Sequence, residues 1–567
     1  MPVSTVDPEV AIAADPADPR NLRLRLVALS FLMLFVELAL IRWTASNNVH
    51  LAYLTNFVLM ASFLGIGIGF LRANSDRDLF PWAPVALALL IAFVLAFPVS
   101  FSTSANNLQG GFGWAALPRW VSLSAMFVLT VAVMACVGNG VARTFVRFEP
   151  LEAYRFDILG SIGGIVVFSA LAFLELPPIV WASIVAALFI LLLRVRWQML
   201  GLVVVLVLLM IESLSGNDHW SPYYKVTADF RATATVGGVD THDVLEISAN
   251  NIPHQTAYPV ETLHKIQPFY FLPYKHLGDR GPGRVLIVGA GNGNDVAVAL
   301  AQGAEHVDAV EIDPVIQSLG RDHHPDHPYQ DPRVTVHIND GRAFIQQNHD
   351  HYDLILFALP DSLTLLAGQG SLRLENYLFT TESMKTVKEH LNPGGTFAMY
   401  NYYEPFLVDR YASTLEKTYG TAPCVEVGDT LAARQQAVLT AGNGATSNCQ
   451  TPWAGQHIQL PTDDYPFPYL QTRSIPAFYM QTLALMLVAS LLLIRVAGGP
   501  LRSMTNYIDL ALMGGAFLLL ETKNVVQFAL LFGTTWAVNA AVFAGVLLSV
   551  LAAIEVARRV SFRRPIL

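Results

Sequence analysis

Apolar runs of bilayer length dominate this chain, and they bracket a middle segment of ordinary soluble composition. They fall at roughly 25–41, 51–71, 82–101, 121–141, 157–175, 178–194 and 197–213, and again at 476–494, 506–521 and 536–556. About 20 apolar residues span the hydrocarbon core as a helix. Lipid offers the backbone no hydrogen bonds, so such runs take helical form. Charged residues make up only 14% of the 567 residues, against about a quarter in a soluble domain. The expected fold class is therefore an α-helical integral membrane bundle of about ten spans, with the lipid bilayer as a partner and a bacterial inner membrane as its place. The net charge of −9 and the absence of a basic stripe argue against nucleic acid.

The domain plan follows from the composition. Residues 1–20 are rich in Pro and Asp and are expected to be disordered. Residues 21–214 hold about seven spans, 215–473 a soluble domain, 474–557 about three spans, and 558–567 a basic tail. Glu37 and Glu521 fall inside apolar runs. A carboxylate in lipid is costly, so both are expected to face the bundle interior or a water-filled cavity. They serve there either as structural hydrogen-bonding groups or as part of a polar pathway. Under strict alternation of spans, most arginines fall on one side, from Arg20, Arg23 and Arg25 to Arg558, Arg559, Arg563 and Arg564. The positive-inside rule makes that side cytoplasmic. Seven spans then put the soluble segment outside, where Cys424 and Cys449 can pair. A cytosolic substrate would place it inside, so the facing stays open at this level.

The motif GRVLIVGAGNGNDVAVALAQGAEHVDAVEIDP carries the chemistry of the soluble segment. It reads as a strand over Val285–Val288, a glycine turn at Gly289, Gly291 and Gly293, a helix from about Asp295 and a second strand ending at Glu311. Glycines let the backbone approach a ligand closely, and a helix N-terminus offers free N–H groups. An acid about twenty residues on can hold both ribose hydroxyls. RVTVHINDGRAFI ends a further strand at Asp340-Gly341, and HYDLILFALPDS ends another near Asp361. Ligands bind beyond the carboxyl ends of such strands. The soluble segment is thus an α/β Rossmann-like domain for a small nucleoside. His323, His324 and His327 lie in a proline-broken stretch and are expected to form a solvated loop rather than a metal site. No metal is expected.

The stretch from about Ser221 to Leu470 resembles the spermidine synthase (aminopropyltransferase) family, including its membrane-fused branch. The segments SPYY (Ser221–Tyr224), NNIPHQ ending at Gln255, the glycine motif, VEIDP, Asp340-Gly341 and TDDYPFPYL (Thr462–Leu470) carry the resemblance. It implies a spermidine-synthase- and methyltransferase-type fold, and a homodimer. It implies S-adenosylmethionine or its decarboxylated form as substrate, with no further cofactor. By resemblance Gln255 contacts the aminopropyl end, Glu311 holds the ribose and Asp340 contacts adenine. Tyr223, Tyr224 and Tyr258 are candidates for the pocket lining, and Asp463-Asp464 for a segment closing over it.

Two departures from the family pattern bear on the reaction. Asn292 stands where the family's glycine motif has Asp, and Ala358 stands where the family has its catalytic base. An amine nucleophile must lose a proton before it attacks. The residues therefore favour cleavage of S-adenosylmethionine to methylthioadenosine and homoserine lactone, a lyase reaction in which the substrate's own carboxylate attacks, with Asp361 and Asn292 as the catalytic pair. Transfer of the aminopropyl group to a polyamine, methyl transfer to a membrane substrate, and a transporter or sensor gated by a nucleoside are the alternatives.

Overall fold

The computed structural model describes residues 19–48, 51, 56–97, 99–102, 107–110, 117–193, 197–277, 281–358, 376–431, 434–442, 449–475, 477–533 and 535–560. Of the stretch 1–20 expected to be disordered, 1–18 fall outside them, as does most of the basic tail, while 19 and 20 already belong to a helix. Among the described residues, seven apolar helices precede the α/β domain: α1 (Pro19–Asn47), α2 (Phe57–Leu71), α3 (Ala83–Ala96), α4 (Arg119–Phe145), α5 (Pro150–Phe173), α6 (Pro178–Leu192) and α7 (Leu200–Ser213). Three follow it: α14 (Ala477–Gly498), α15 (Ile508–Phe532) and α16 (Trp536–Arg559). Each predicted run overlaps one of these helices, but the count of ten spans is not carried by length. Among the described residues six helices, α1, α4, α5, α14, α15 and α16, are long and apolar enough to cross a membrane; the other four are shorter. A 15-residue helix such as α2 reaches about 22 Å, short of a core about 30 Å thick.

Small residues let the helices meet. A Cβ on Gly160 of α5 would sit 2.3 Å from the Val27 carbonyl of α1, and one on Gly69 of α2 would sit 2.6 Å from the Asn139 amide of α4. Gly65 with Gly69, and Gly160 with Gly164, repeat at a spacing of four, which brings backbones together without a hydrophobic driving force. Glu37 is 2% exposed inside this packing. Glu521 lies on α15, and its side chain is outside the described set. Most of the described arginines of the bundle gather at one end. There Arg23 pairs with Glu152 at 2.7 Å and Arg155 with Glu555 at 2.6 Å. Arg194 and Arg196 lie outside the described residues.

The opposite end carries the α/β domain. Strands β1 (Val99–Ser102) and β2 (Asn107–Gly110) form a small hairpin between α3 and α4. Strands β3 (Asp218–Trp220), β4 (Lys225–Val236), β5 (Val239–Ala249) and β6 (Ile252–Ala257) form an antiparallel sheet directly after α7. Buried Lys225 bridges Glu212 of α7 and Asp218 of β3 at 3.2 and 3.1 Å. The Asn251 amide donates to the Ser46 carbonyl of α1 at 2.9 Å. A buried charge is tolerated only when paired, so this knot fixes the small sheet to the bundle.

After helix α8 (Val260–Ile266) comes a seven-stranded sheet. Its strands are β7 (Arg284–Val288), β8 (His306–Glu311), β9 (Val334–Ile338), β10 (Tyr352–Ala358), β11 (Leu391–Tyr403), β12 (Cys424–Leu431) and β13 (Arg434–Ala441), in the order β12-β13-β11-β10-β7-β8-β9. All pairings from β9 to β11 are parallel, and β13 runs antiparallel to both its neighbours. Val285, Leu286, Ile287, Leu354, Ile355 and Leu356 are fully buried, as central strands covered on both faces must be. Helices α9 (Asn294–Ala301), α10 (Pro314–His323), α11 (Gly341–Gln347), α12 (Thr381–Glu389) and α13 (Pro405–Tyr419) connect the strands. Order reverses between β7 and β10, which opens the ligand crevice at their carboxyl ends. This is the Rossmann-like arrangement expected. Cys424 forms a disulfide with Cys449.

Candidate active site

The glycine turn is built by three left-handed residues, Gly289, Gly291 and Gly293, with φ of 80°, 54° and 100°. The turn returns the chain from β7 into α9, and a side chain at Gly291 would run into Gln255, whose Oε1 lies 2.1 Å from the position a Cβ would take. Gln255 is folded onto this turn, its Oε1 accepting from the Asn292 amide at 2.8 Å. The Asn292 side chain is buried; its Oδ1 accepts from the Asn294 amide at 3.2 Å, while its Nδ2 has no partner among the described residues.

Glu311 closes the other side of the crevice. Its Oε2 accepts from the Gly291 amide at 2.8 Å and its Oε1 from the Asp313 amide at 2.9 Å. Each oxygen keeps a second lone pair, enough for the two hydroxyls of a ribose. Burial pushes this carboxyl up to about 7. Asp313 in turn caps α10, accepting from the Val315 and Ile316 amides, and takes the Ser221 hydroxyl at 2.5 Å. Burial pushes Asp313 up to about 6.

Other sequence candidates fall into place differently. Asp340 caps α11 by accepting from the Ala343 amide at 2.9 Å, and Gly341 lets that helix start against Val288, whose Cγ1 lies 2.3 Å from the position a Cβ would take. Tyr223 and Tyr224 form a tilted ring pair 6.2 Å apart. Tyr258 joins a buried cluster with Tyr270 and Tyr274. Asp361 lies outside the described residues. Ala358 is buried at the end of β10, in register with Tyr400. His323 and His327 are exposed, as a solvated stretch requires, but the expectation needs correction for His324. His324 is fully buried, its Nε2 3.1 Å from Asn294 Oδ1, because it fills the space behind the glycine turn. No group of potential metal ligands occurs among the described residues. Asp463 does not face the crevice alone; Arg342 holds it through two bonds of 2.7 and 2.6 Å.

Asp295 went unnoticed in the sequence. It lies in the first turn of α9 and is 6% exposed, and its Oδ1 has no partner among the described residues. The only signal for it is an acidic residue directly after a glycine turn, where a helix N-terminus favours negative charge. Away from this crevice, a cavity of about 410 Å³ opens where the helix ends meet α10, lined by Glu175, Asp218, His219, Trp220 and Asp322.

Residues 274–428 match the spermine/spermidine synthase domain. The polyamine aminopropyltransferase of Enterobacter sp. (strain 638) is 36% identical over 121 residues, which cover 21% of this chain and 39% of that protein. The chain thus spans about two fifths of the length of the curated relatives it matches. Spermidine synthase from Thermotoga maritima aligns with 14% identity and a TM-score of 0.29, covering 46% of this chain and 89% of that one. A probable spermidine synthase from Corynebacterium glutamicum aligns with 15% identity and a TM-score of 0.30, covering 40% and 86%. The α/β part of this chain, over residues 274–428, is similar to the spermine/spermidine synthase domain.

Proposed function

We propose that the chain is an aminopropyltransferase-type enzyme. It binds an adenosyl sulfonium, decarboxylated S-adenosylmethionine, with no metal, and passes the aminopropyl group to an amine with release of methylthioadenosine. The observation that carries this reading is Glu311, buried at the end of β8 and oriented by the Gly291 and Asp313 amides, inside a segment that matches the synthase domain. Glu311 accepts the ribose hydroxyls, and the three left-handed glycines leave room for the nucleoside. This replaces acceptor-free lyase chemistry as the first reading, because the relatives that match are aminopropyltransferases. One observation keeps the lyase as the second reading: Ala358 offers no base at the end of β10.

The same reading places the bundle across a bacterial inner membrane, with its arginine-rich end in the cytoplasm and the α/β domain on the outer face. Two features support this facing: the positive-inside rule, and the disulfide between Cys424 and Cys449, a bond that persists in oxidising compartments.

The test is to incubate the purified protein in detergent with decarboxylated S-adenosylmethionine, with and without 1,4-diaminobutane, and separately with S-adenosylmethionine alone. Methylthioadenosine that forms only with the amine, together with an aminopropylated product, supports transfer. Methylthioadenosine from S-adenosylmethionine alone, with homoserine lactone, supports the lyase. Release in none of the three overturns both.

A further inference from the structure

The end of β10 lacks a carboxylate, but the pocket behind it does not. The Ala358 side chain belongs to the same buried cluster as Tyr258, Tyr270, Tyr274 and Tyr400. Tyr400 stands beside Ala358 in the parallel register of β10 and β11. The Tyr270 ring meets Tyr400 edge-on at 5.5 Å. On its other side Tyr270 lies within electrostatic range of Asp295, as does Tyr274. Asp295 therefore lies, at the start of α9, beside the same tyrosine cluster that Ala358 joins from the end of β10.

Three polar atoms in this neighbourhood are buried without a partner among the described residues: Asp295 Oδ1, Tyr274 Oη and Tyr400 Oη. A buried polar atom left unpaired costs ~1–3 kcal/mol, and native proteins keep few of them. Three of them in and beside one tyrosine cluster are the chemistry that a polar guest would satisfy. One acceptor-only carboxylate among aromatic faces suits an organic ammonium, through ionic and cation–π attraction.

We propose, resting on the aminopropyl-transfer reading, that Asp295 is the catalytic base of this enzyme and binds the acceptor ammonium, taking the role left vacant at Ala358. The Asp295 carboxylate removes one proton from the acceptor ammonium. The freed nitrogen lone pair forms the N–C bond to the aminopropyl carbon attached to sulfur. The C–S bond breaks with its electron pair on sulfur, so the sulfonium becomes the neutral thioether of methylthioadenosine. Asp295 then returns its proton to solvent. The titratable groups facing it are the hydroxyls of Tyr270, Tyr274 and Tyr329, none of which competes for the proton near neutrality. Burial pushes Asp295 up to about 8, which brings it closer to an aliphatic ammonium than an ordinary carboxylate and so improves its match as a base.

The experiment compares wild type, Asp295→Asn and the double variant Asp295→Asn with Ala358→Asp, using decarboxylated S-adenosylmethionine and 1,4-diaminobutane across pH 6–10. Methylthioadenosine affinity is measured alongside to report folding. Asp295→Asn is expected to lower kcat about 100-fold or more, in the range for a lost general base, with methylthioadenosine affinity within about twofold. Its rate rises with pH only toward the amine's own deprotonation, near pH 10. The double variant recovers at least part of kcat. Unchanged kcat in Asp295→Asn overturns the proposal, as does a loss of kcat that matches a loss of nucleoside binding with no rescue at position 358. A wild type that never transfers to the amine condemns the aminopropyl reading itself, which is a separate outcome.

Discussion

Ser221 donates its hydroxyl to Asp313 Oδ2 across 2.5 Å, although 92 residues separate them. The Ser221 carbonyl accepts from the Arg42 guanidinium of α1, and the Asp313 amide holds Glu311. The end of a bundle helix is thus joined to the proposed ribose carboxylate by three consecutive hydrogen bonds. Removing the hydroxyl leaves Asp313 Oδ2 buried and short of a donor. Ser221→Ala is expected to destabilise the domain by ~1–3 kcal/mol and to weaken methylthioadenosine binding severalfold. Thermal unfolding in detergent, with and without methylthioadenosine, measures both. An unchanged melting temperature would show that the chain of bonds contributes nothing.

A second expectation concerns pH. Burial raises Glu311 to about 7 and Asp295 to about 8. A carboxyl whose folded value lies above its unfolded one binds more protons in the folded state. Its stability contribution is complete below the unfolded value and is lost as pH rises through the folded value. The ligand-free protein should therefore melt at steadily lower temperature between pH 4.5 and 8, with Glu311→Gln removing the part that ends near 7. Nucleoside binding runs the other way, because ribose hydroxyls donate to the charged form. Methylthioadenosine affinity should rise through about pH 7 in wild type. Glu311→Gln should bind at least tenfold more weakly and show no such rise. Calorimetric titration across pH decides it.

Part of this was legible in the sequence, for local reasons. The glycine turn, the strands on either side and Glu311 lie within one βαβ unit, where spacing alone sets their relation. The apolar runs announce helices because lipid permits little else. Long-range relations were not legible. Nothing near Asp295 tells that Tyr270 and Tyr274 lie beside it, since both come from the segment that precedes β7. His324 looked solvated among prolines and other histidines, yet it is buried against Asn294, a contact fixed by how α10 packs behind the turn. The number of spans was less legible, because hydropathy registers apolar content and not helix length, and α2, α3, α6 and α7 are shorter than the other six.

Arg342 and Asp463 test the segment that follows the sheet. Arg342 is 8% exposed; it also donates to the Tyr377 carbonyl and the Thr380 hydroxyl. Its fork matches the carboxylate in a way that a lysine point charge does not. Arg342→Lys should cost ~1–2 kcal/mol, less than a fully buried pair because Asp463 is partly solvated. Hydrogen exchange should quicken over 462–470, the stretch tied down at Asp463. Uniform quickening across the domain would instead assign Arg342 to global stability.

The facing of the domain can be settled by labelling. Asp76 follows α2 at the arginine-rich end, and His242 lies in β5 with its side chain 69% exposed. Cys136 is the one free cysteine among the described residues and sits within α4, so two introduced thiols, Asp76→Cys and His242→Cys, report on opposite ends. In right-side-out spheroplasts, a membrane-impermeant maleimide should label His242→Cys at once and Asp76→Cys only after permeabilisation. The reverse pattern would put the domain in the cytoplasm, and the arginine-rich end outside it against the positive-inside rule. The expected pattern carries a chemical consequence. An adenosyl sulfonium bears a fixed positive charge and does not cross lipid unaided, so a domain on the outer face requires a carrier step before transfer, and the bundle fused to it is the nearest candidate to supply one.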